Sequence, residues 1–178
     1  MSEISQNKVQ VVQRGGEGEF VESKCRMVIK GDRRYLNYGD GIGKFQFLIR
    51  GFRALYGVAK HSKFQAKLKL VAKDPAIIAQ LDALSERIKS QFEGDVIKHG
   101  LFKPFLVGDA ETGRTLVLKI CDDSETHAGE SVMGRVNPDD LCDATFSTCV
   151  YKYGRYFGFS HRLHVVKSRP RKKANFFE

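Results

Sequence analysis

Two groups of carboxylates stand close enough along the chain to share a divalent cation: Asp122, Asp123 and Glu125 with His127, and Asp139, Asp140 and Asp143. Converging carboxylates are what two-metal phosphodiester cleavage needs, so a metal-dependent nuclease is one reading. Both groups fall in loop-like sequence, however, where acidic side chains ordinarily meet water. No phosphate-binding P-loop, no G-x-S-x-G elbow and no H-E-x-x-H helix occurs. The segment Gly39-Asp-Gly-Ile-Gly43 reads as a mobile turn with no helix behind it to receive a phosphate. Cys25, Cys121, Cys142 and Cys149 include no C-x-x-C pair, so they read as reduced, partly buried thiols. A structural zinc site using His161 or His164 is the minor alternative. Those two histidines lie three apart on a strand, which puts them on opposite faces and argues against joint ligation. Either could still touch a phosphate or a base. The sequence therefore predicts no catalytic residue, no metal and no cofactor.

Cations and aromatic rings offer a different chemistry. The chain has 178 residues and a formal charge of +9. Residues 150–178 hold eight basic residues against Glu178 alone, a net of +7, while the first 149 carry 22 basic and 20 acidic residues. A near-neutral body with a basic end calls for a polyanionic partner, nucleic acid before an acidic membrane. Tyr151, Tyr153, Tyr156 and Phe157 surround a turn that also holds Lys152 and Arg155, and Arg162 follows on the return strand. Rings on which bases stack, interleaved with cations that follow the backbone, are the requirement for single-stranded nucleic-acid binding. Tyr35 and Tyr38 are further candidate rings. With no Trp in the chain, Tyr and Phe must supply any stacking platform.

These residues need strands to hold them. Phe45, Phe47 and Ile49 alternate with Lys44, Gln46, Leu48 and Arg50; Phe64, Ala66, Leu68 and Leu70 alternate with Lys63, Gln65, Lys67 and Lys69. That period of two marks half-buried strands with a cationic outer face. Lys44, Arg50, Lys63, Lys67, Lys69, Lys152, Arg155 and Arg162 are the expected backbone contacts, joined by Arg169, Arg171, Lys172 and Lys173 of the tail. The period then changes. Asp74-Pro75 supplies an N-cap and a proline at the first helical position, and Ile77, Leu81, Leu84, Ile88 and Phe92 form one stripe. Gly94 is expected to end this helix. Strands are expected again at Thr115–Ile120, Asp143–Tyr153 and Phe157–Lys167, the last two joined by Gly154-Arg155. On Asp143–Tyr153, Ala144, Phe146, Thr148 and Val150 share one face; Thr145, Ser147, Cys149, Tyr151 and Tyr153 share the other. The predicted class is mainly β with one inserted helix.

Three segments give the chain a resemblance. They are Asp74–Ile88; Lys103-Pro-Phe-Leu106 before Thr115–Ile120; and Asn137-Pro-Asp-Asp-Leu141 leading to Val150-Tyr-Lys-Tyr-Gly154 and Phe157–Val166. Together they resemble the oligonucleotide/oligosaccharide-binding (OB) fold proteins that coat single-stranded DNA in large DNA viruses and tailed phages. The resemblance spans roughly residues 44–168. It implies an OB-like antiparallel β-barrel of about five strands and sequence-tolerant binding during replication, recombination or repair. Residues 1–19 would be a flexible N-terminal arm, or a weak edge strand, and 20–168 the binding domain. Residues 169–178 would be a basic tail with an aromatic-acidic tip. Phage-type members tend to end in an acidic tail. Here Arg169–Lys173 is basic, although Phe176, Phe177 and Glu178 keep the tip that would meet replication proteins. Expected partners are single-stranded DNA, RNA as the alternative, and a second copy of the chain; no membrane is expected. With no apolar run after Met1 and no membrane span, the expected setting is intracellular, in host cytoplasm or nucleus if the protein is viral. An RNA-binding viral structural or silencing protein built as a β-sandwich is the competing reading.

Overall fold

The computed structural model describes residues 8–13, 16–39, 45–58 and 66–171. Lys44, Lys63, Lys172, Lys173, Phe176, Phe177 and Glu178 lie outside them. In chain order the elements are β1 (Gln10–Gln13), β2 (Gly16–Glu19), β3 (Cys25–Lys30), β4 (Arg33–Tyr38), β5 (Gln46–Ala54), β6 (Lys67–Ala72), α1 (Pro75–Ser90), α2 (Gly94–His99), β7 (Leu101–Lys103), β8 (Arg114–Lys119), β9 (Glu125–Thr126), β10 (Leu141–Tyr153) and β11 (Tyr156–Arg169). Among the described residues no helix is long and apolar enough to cross a membrane.

Five strands close into a ring-like sheet. β5 pairs β6, β6 pairs β8, β8 pairs β11, β11 pairs β10, and β10 returns to β5. Counted by chain position, the ring runs first, second, third, fifth, fourth and back to first, the Greek-key order of an OB-like fold. Every ring contact is antiparallel except β8 with β11, which is parallel; the short β7 and β9 also meet β11 in parallel. The ring is therefore mixed where its last strand enters. The mainly β class with one principal helix is as expected. β1 adds to the outer edge of β5, pairing Gln10 with Leu48, and β2 folds back on β1.

Alternation decides what fills the ring. Leu68 and Leu70 of β6, Leu116 and Leu118 of β8, Phe146 of β10, and Phe157, Phe159 and Leu163 of β11 are all fully buried. Phe47, Phe105 and Phe146 interlock, with centroids 5.1 to 6.0 Å apart.

The helix arises as its sequence dictates. The Asp74 carboxylate accepts from the Ala76 N–H, Pro75 occupies the first turn, and Ile77, Leu81, Leu84 and Ile88 are buried. The helix stops at Ser90, before Gly94. Glu93 is extended and Gly94 opens the second helix, α2, while Phe92, in the turn between the helices, packs on Phe157 at 4.7 Å. Two devices seat α1. The buried Ser85 hydroxyl accepts from the Phe105 N–H at 2.9 Å. Arg87 donates to the Glu22 carboxylate and to the carbonyls of Glu22 and Cys25, which fastens the β3–β4 hairpin to the helix.

Candidate nucleic-acid interface

The inward set on β6 and β8 leaves Lys67, Lys69, Val71, Val117 and Lys119 on the outer face. Register then brings charges together. Lys67 stands opposite Lys119 across β6 and β8, Arg162 stands opposite Lys119 across β8 and β11, and Ser147 stands opposite Arg162 on β10. Neighbouring strands lie about 4.8 Å apart, so three cations occupy a row of about 10 Å. Lys103 joins them from β7, beside Gly158. Partial burial lowers the pKa of the Lys103 ammonium, and repulsion from Lys67 and Lys119 lowers it further. Among the described residues, no ion pair involves Lys67, Lys103 or Lys119. Like charges held opposite one another cost stability, so this arrangement does not serve the fold.

Aromatic rings stand at the open end of the same face. Val150 is buried, which turns Cys149, Tyr151 and Tyr153 outward. Tyr153 is 82% exposed and stands opposite Tyr156, 47% exposed. The Arg155 guanidinium lies 5.8 Å from the Tyr156 ring centre. Gly154, at φ 60°, takes the turn position that a tight hairpin reserves for glycine. Tyr151 stands opposite Gly158, at φ 140°, where a Cβ would come within 2.2 Å of the Lys103 carbonyl oxygen. That close approach is what places Lys103 beside the tyrosines.

The expected stacking residues divide accordingly. Tyr151, Tyr153 and Tyr156 share this face, and Tyr35 is 42% exposed on β4 nearby. Phe157 does not join them. It stands opposite Lys152, on the inward parity, and packs between Phe92 and Phe102 with no exposed surface. Tyr38 is likewise core: it stacks on Phe20, its hydroxyl donates to the Glu19 carbonyl, and it accepts from the Val21 N–H.

The cations also divide. Lys67, Lys69 and Arg162 lie on the lysine face, Arg162 also holding Asp123 at 2.6 Å. Lys152 points away from it, to Glu93 at 2.9 Å. Arg50 holds Glu17, and Arg169 holds Asp143. Arg50 and Arg171 line a cleft of about 560 Å3 with Arg53, Val71 and Lys73, at the far end of β6 from Lys67. The sequence reading missed Lys103, Lys119, Arg53 and Lys73. The signal for Lys119 was present: Leu116 and Leu118 go inward, so Val117 and Lys119 must go outward. Lys103 had none, because three residues of strand carry no readable period.

Four carboxylates of the two acidic groups engage other partners and not one another. Asp123 holds Arg162, Asp139 holds Arg53 at 2.7 Å, Asp143 accepts from the Gly51 N–H, and Asp140 accepts from the Asn137 N–H. Among the described residues no three His, Cys, Asp or Glu side chains are grouped to hold a metal. Cys25 and Cys142 are buried, Cys121 is half-buried and Cys149 exposed, all as free thiols.

The two histidines do face opposite ways. His164 is half-buried and shares a hydrogen bond with Ser147, whereas His161 is core and is closed to any phosphate or base. The Phe105 carbonyl can only accept, so His161 Nε2 carries the proton toward it at 2.9 Å and Nδ1 accepts from the Thr148 hydroxyl at 2.8 Å. Burial pushes this imidazole down to about 3.

No family model matches the chain, and no curated protein matches it in sequence. Among solved structures it is similar to a C-terminally truncated form of the single-stranded DNA-binding protein from bacteriophage Enc34. The TM-score is 0.51 and the identity 12%, over 88% of this chain and 98% of that one. The same phage protein without that truncation gives a TM-score of 0.48 at 11% identity, over 84% and 92%. Its complex with single-stranded DNA gives 0.47 at 10%, over 84% and 97%. The first of these likenesses shows a shared fold.

Proposed function

We propose that the protein binds single-stranded DNA without catalysing its turnover, with the strand lying on the outer face of β6, β8, β11 and β10. One observation carries this reading. Lys67, Lys103 and Lys119 converge without acidic partners among the described residues and lead directly to Tyr151, Tyr153 and Tyr156. A polyanion removes the repulsion among the lysines, and exposed rings give its bases a surface to stack on. Stacking and backbone charge act on every base alike, so recognition in this reading is largely independent of sequence. The likeness in fold to a phage single-stranded DNA-binding protein agrees with the assignment.

In this reading the protein coats and protects exposed strands inside the cell during replication, recombination or repair. Arg53, Lys73 and Arg171 continue the cationic track beyond Lys69. The basic tail adds affinity, and its Phe176-Phe177-Glu178 tip offers contacts to a second copy or to replication proteins. Fluorescence anisotropy with a labelled oligothymidine, at several salt concentrations and with duplex DNA and RNA as competitors, tests the proposal. Single-stranded DNA should win, and affinity should fall steeply with salt. Equal affinity for duplex and single strand, or indifference to salt, would sink it.

A further inference from the structure

The cationic face does not end at Tyr151. β5 pairs with β10 only between Leu141 and Phe146, so beyond Phe146 the edge of β10 facing away from β11 has no strand partner among the described residues. The tip of the β3–β4 hairpin packs beside this free edge without joining its ladder. A cleft of about 250 Å3 is left between them, lined by Asp32, Arg33, Arg34, Tyr35, Val150, Tyr151 and Lys152. Drug-sized ligands fill cavities of about 300–1,000 Å3, so this one suits a single planar ring system.

The charges around it are arranged for a nucleotide. Glu93 binds both Arg34, at 3.4 Å, and Lys152, at 2.9 Å, which ties those two cations to one carboxylate and fixes the hairpin tip against β10. Arg34 also lies over the Phe92 ring at 5.3 Å, so it is held down by packing. Arg33 is exposed and has no ion-pair partner among the described residues. A tyrosine is contributed from each wall, Tyr35 from β4 and Tyr151 from β10. Asp32 is the one acidic lining group, and its carboxylate can accept from a base amino group while Arg33 meets the adjoining phosphate.

We propose that this seam is a nucleobase pocket, in which one base of the bound strand leaves the sheet face and inserts between Tyr35 and Tyr151. The inference rests on the single-stranded DNA reading, because Tyr151 belongs to both the face and the seam. It extends the site from the ring onto the β3–β4 hairpin, which is no part of that ring.

The test uses the full chain and an oligothymidine trimmed to the shortest length that keeps full affinity, so that one register dominates, carrying one 2-aminopurine moved position by position. Quenching should peak at one position in the wild type. Tyr35→Ala should abolish that peak and weaken binding about 5- to 150-fold, the range for losing one base stack, whereas Tyr35→Phe should keep both. Lys67→Gln serves as the control on the sheet face, with reduced affinity and the quenching peak intact. Uniform quenching in the wild type, or wild-type affinity in Tyr35→Ala while Lys67→Gln binds weakly, overturns the pocket and leaves the proposed function standing. A wild-type protein that binds no single strand at all overturns both.

Discussion

Replacing Lys119 with Gln separates what the lysine cluster does for the fold from what it does for a ligand. Lys119 stands opposite Lys67 and raises the repulsion felt by Lys103. Removing it should relieve a like-charge cross-strand pair, whose cost runs from about 0.2 to 1 kcal/mol. Both ammonium groups are exposed and screened by solvent, so the lower half of that range applies, at most about 0.5 kcal/mol. For a chain of this length that corresponds to a rise in Tm of about 1–2 °C. Binding should move the other way. If Lys67, Lys69, Lys103, Lys119 and Arg162 each neutralise one phosphate, the slope of log K against log salt is about −3.5 for a single strand. The wild type then loses about 100-fold in affinity between 50 and 200 mM salt, and the variant, with a slope of about −2.8, loses about 50-fold. Scanning calorimetry and anisotropy titrations read the two halves separately. A lower Tm would refute the repulsion argument. An unchanged slope would refute the phosphate contact.

The remaining expectations concern burial. Tyr153→Ala should leave stability within about 0.5 kcal/mol, since the ring is 82% exposed, while weakening binding to single-stranded DNA. Phe157→Ala should instead cost about 3–5 kcal/mol by chemical denaturation, because its ring fills the core against Phe92 and Phe102. The folded pKa of His161 lies below its unfolded value, so its contribution is complete above about pH 6.5 and is lost as pH falls toward 3. Between about pH 7.5 and pH 5 that amounts to about 2 kcal/mol, and urea titrations of His161→Gln should show this pH dependence gone. Iodoacetamide at about pH 8 should label Cys149, with bound single-stranded DNA protecting it. Cys25 and Cys142, whose thiols burial pushes up to about 12, should react only after unfolding.

Much of this was legible in the chain because alternation and helical spacing are local. Lys67, Lys69, Leu68 and Leu70 announce their faces by neighbour alone, and Asp74-Pro75 with the Ile77–Ile88 stripe announces α1. The turn at Gly154-Arg155 fixes Tyr153 opposite Tyr156, and parity groups Tyr151 with Tyr153, but only the burial of Val150 in the folded chain tells which face is outward. Phe157 went astray because its side depends on counting from that turn, which puts it with the inward Lys152. Tyr38 could not be placed at all from its own segment: Phe20 and Glu19, which bury it, come from another element. The convergence of Lys67, Lys103, Lys119 and Arg162 is a product of ring order. Four strands separated by helices and loops must pair before those charges become neighbours, and no spacing in the sequence encodes that.

Ring order also governs when the protein can exist during its own synthesis. β11 is the last strand among the described residues, yet it is the one that joins β10 to β8, and among those residues β7 and β9 pair within the sheet only with it. Until residues near Arg169 have left the ribosome, β8 is unpaired at Leu118 and Lys119 on its edge away from β6, and the apolar faces of β6, β8 and β10 lack their cover. Until β11 has emerged the nascent chain is thus a template for pairing with other chains, and a copy cut short after β10 should aggregate rather than fold. The same strand that supplies Arg162 to the proposed interface is therefore the one that decides whether there is a folded protein to carry it.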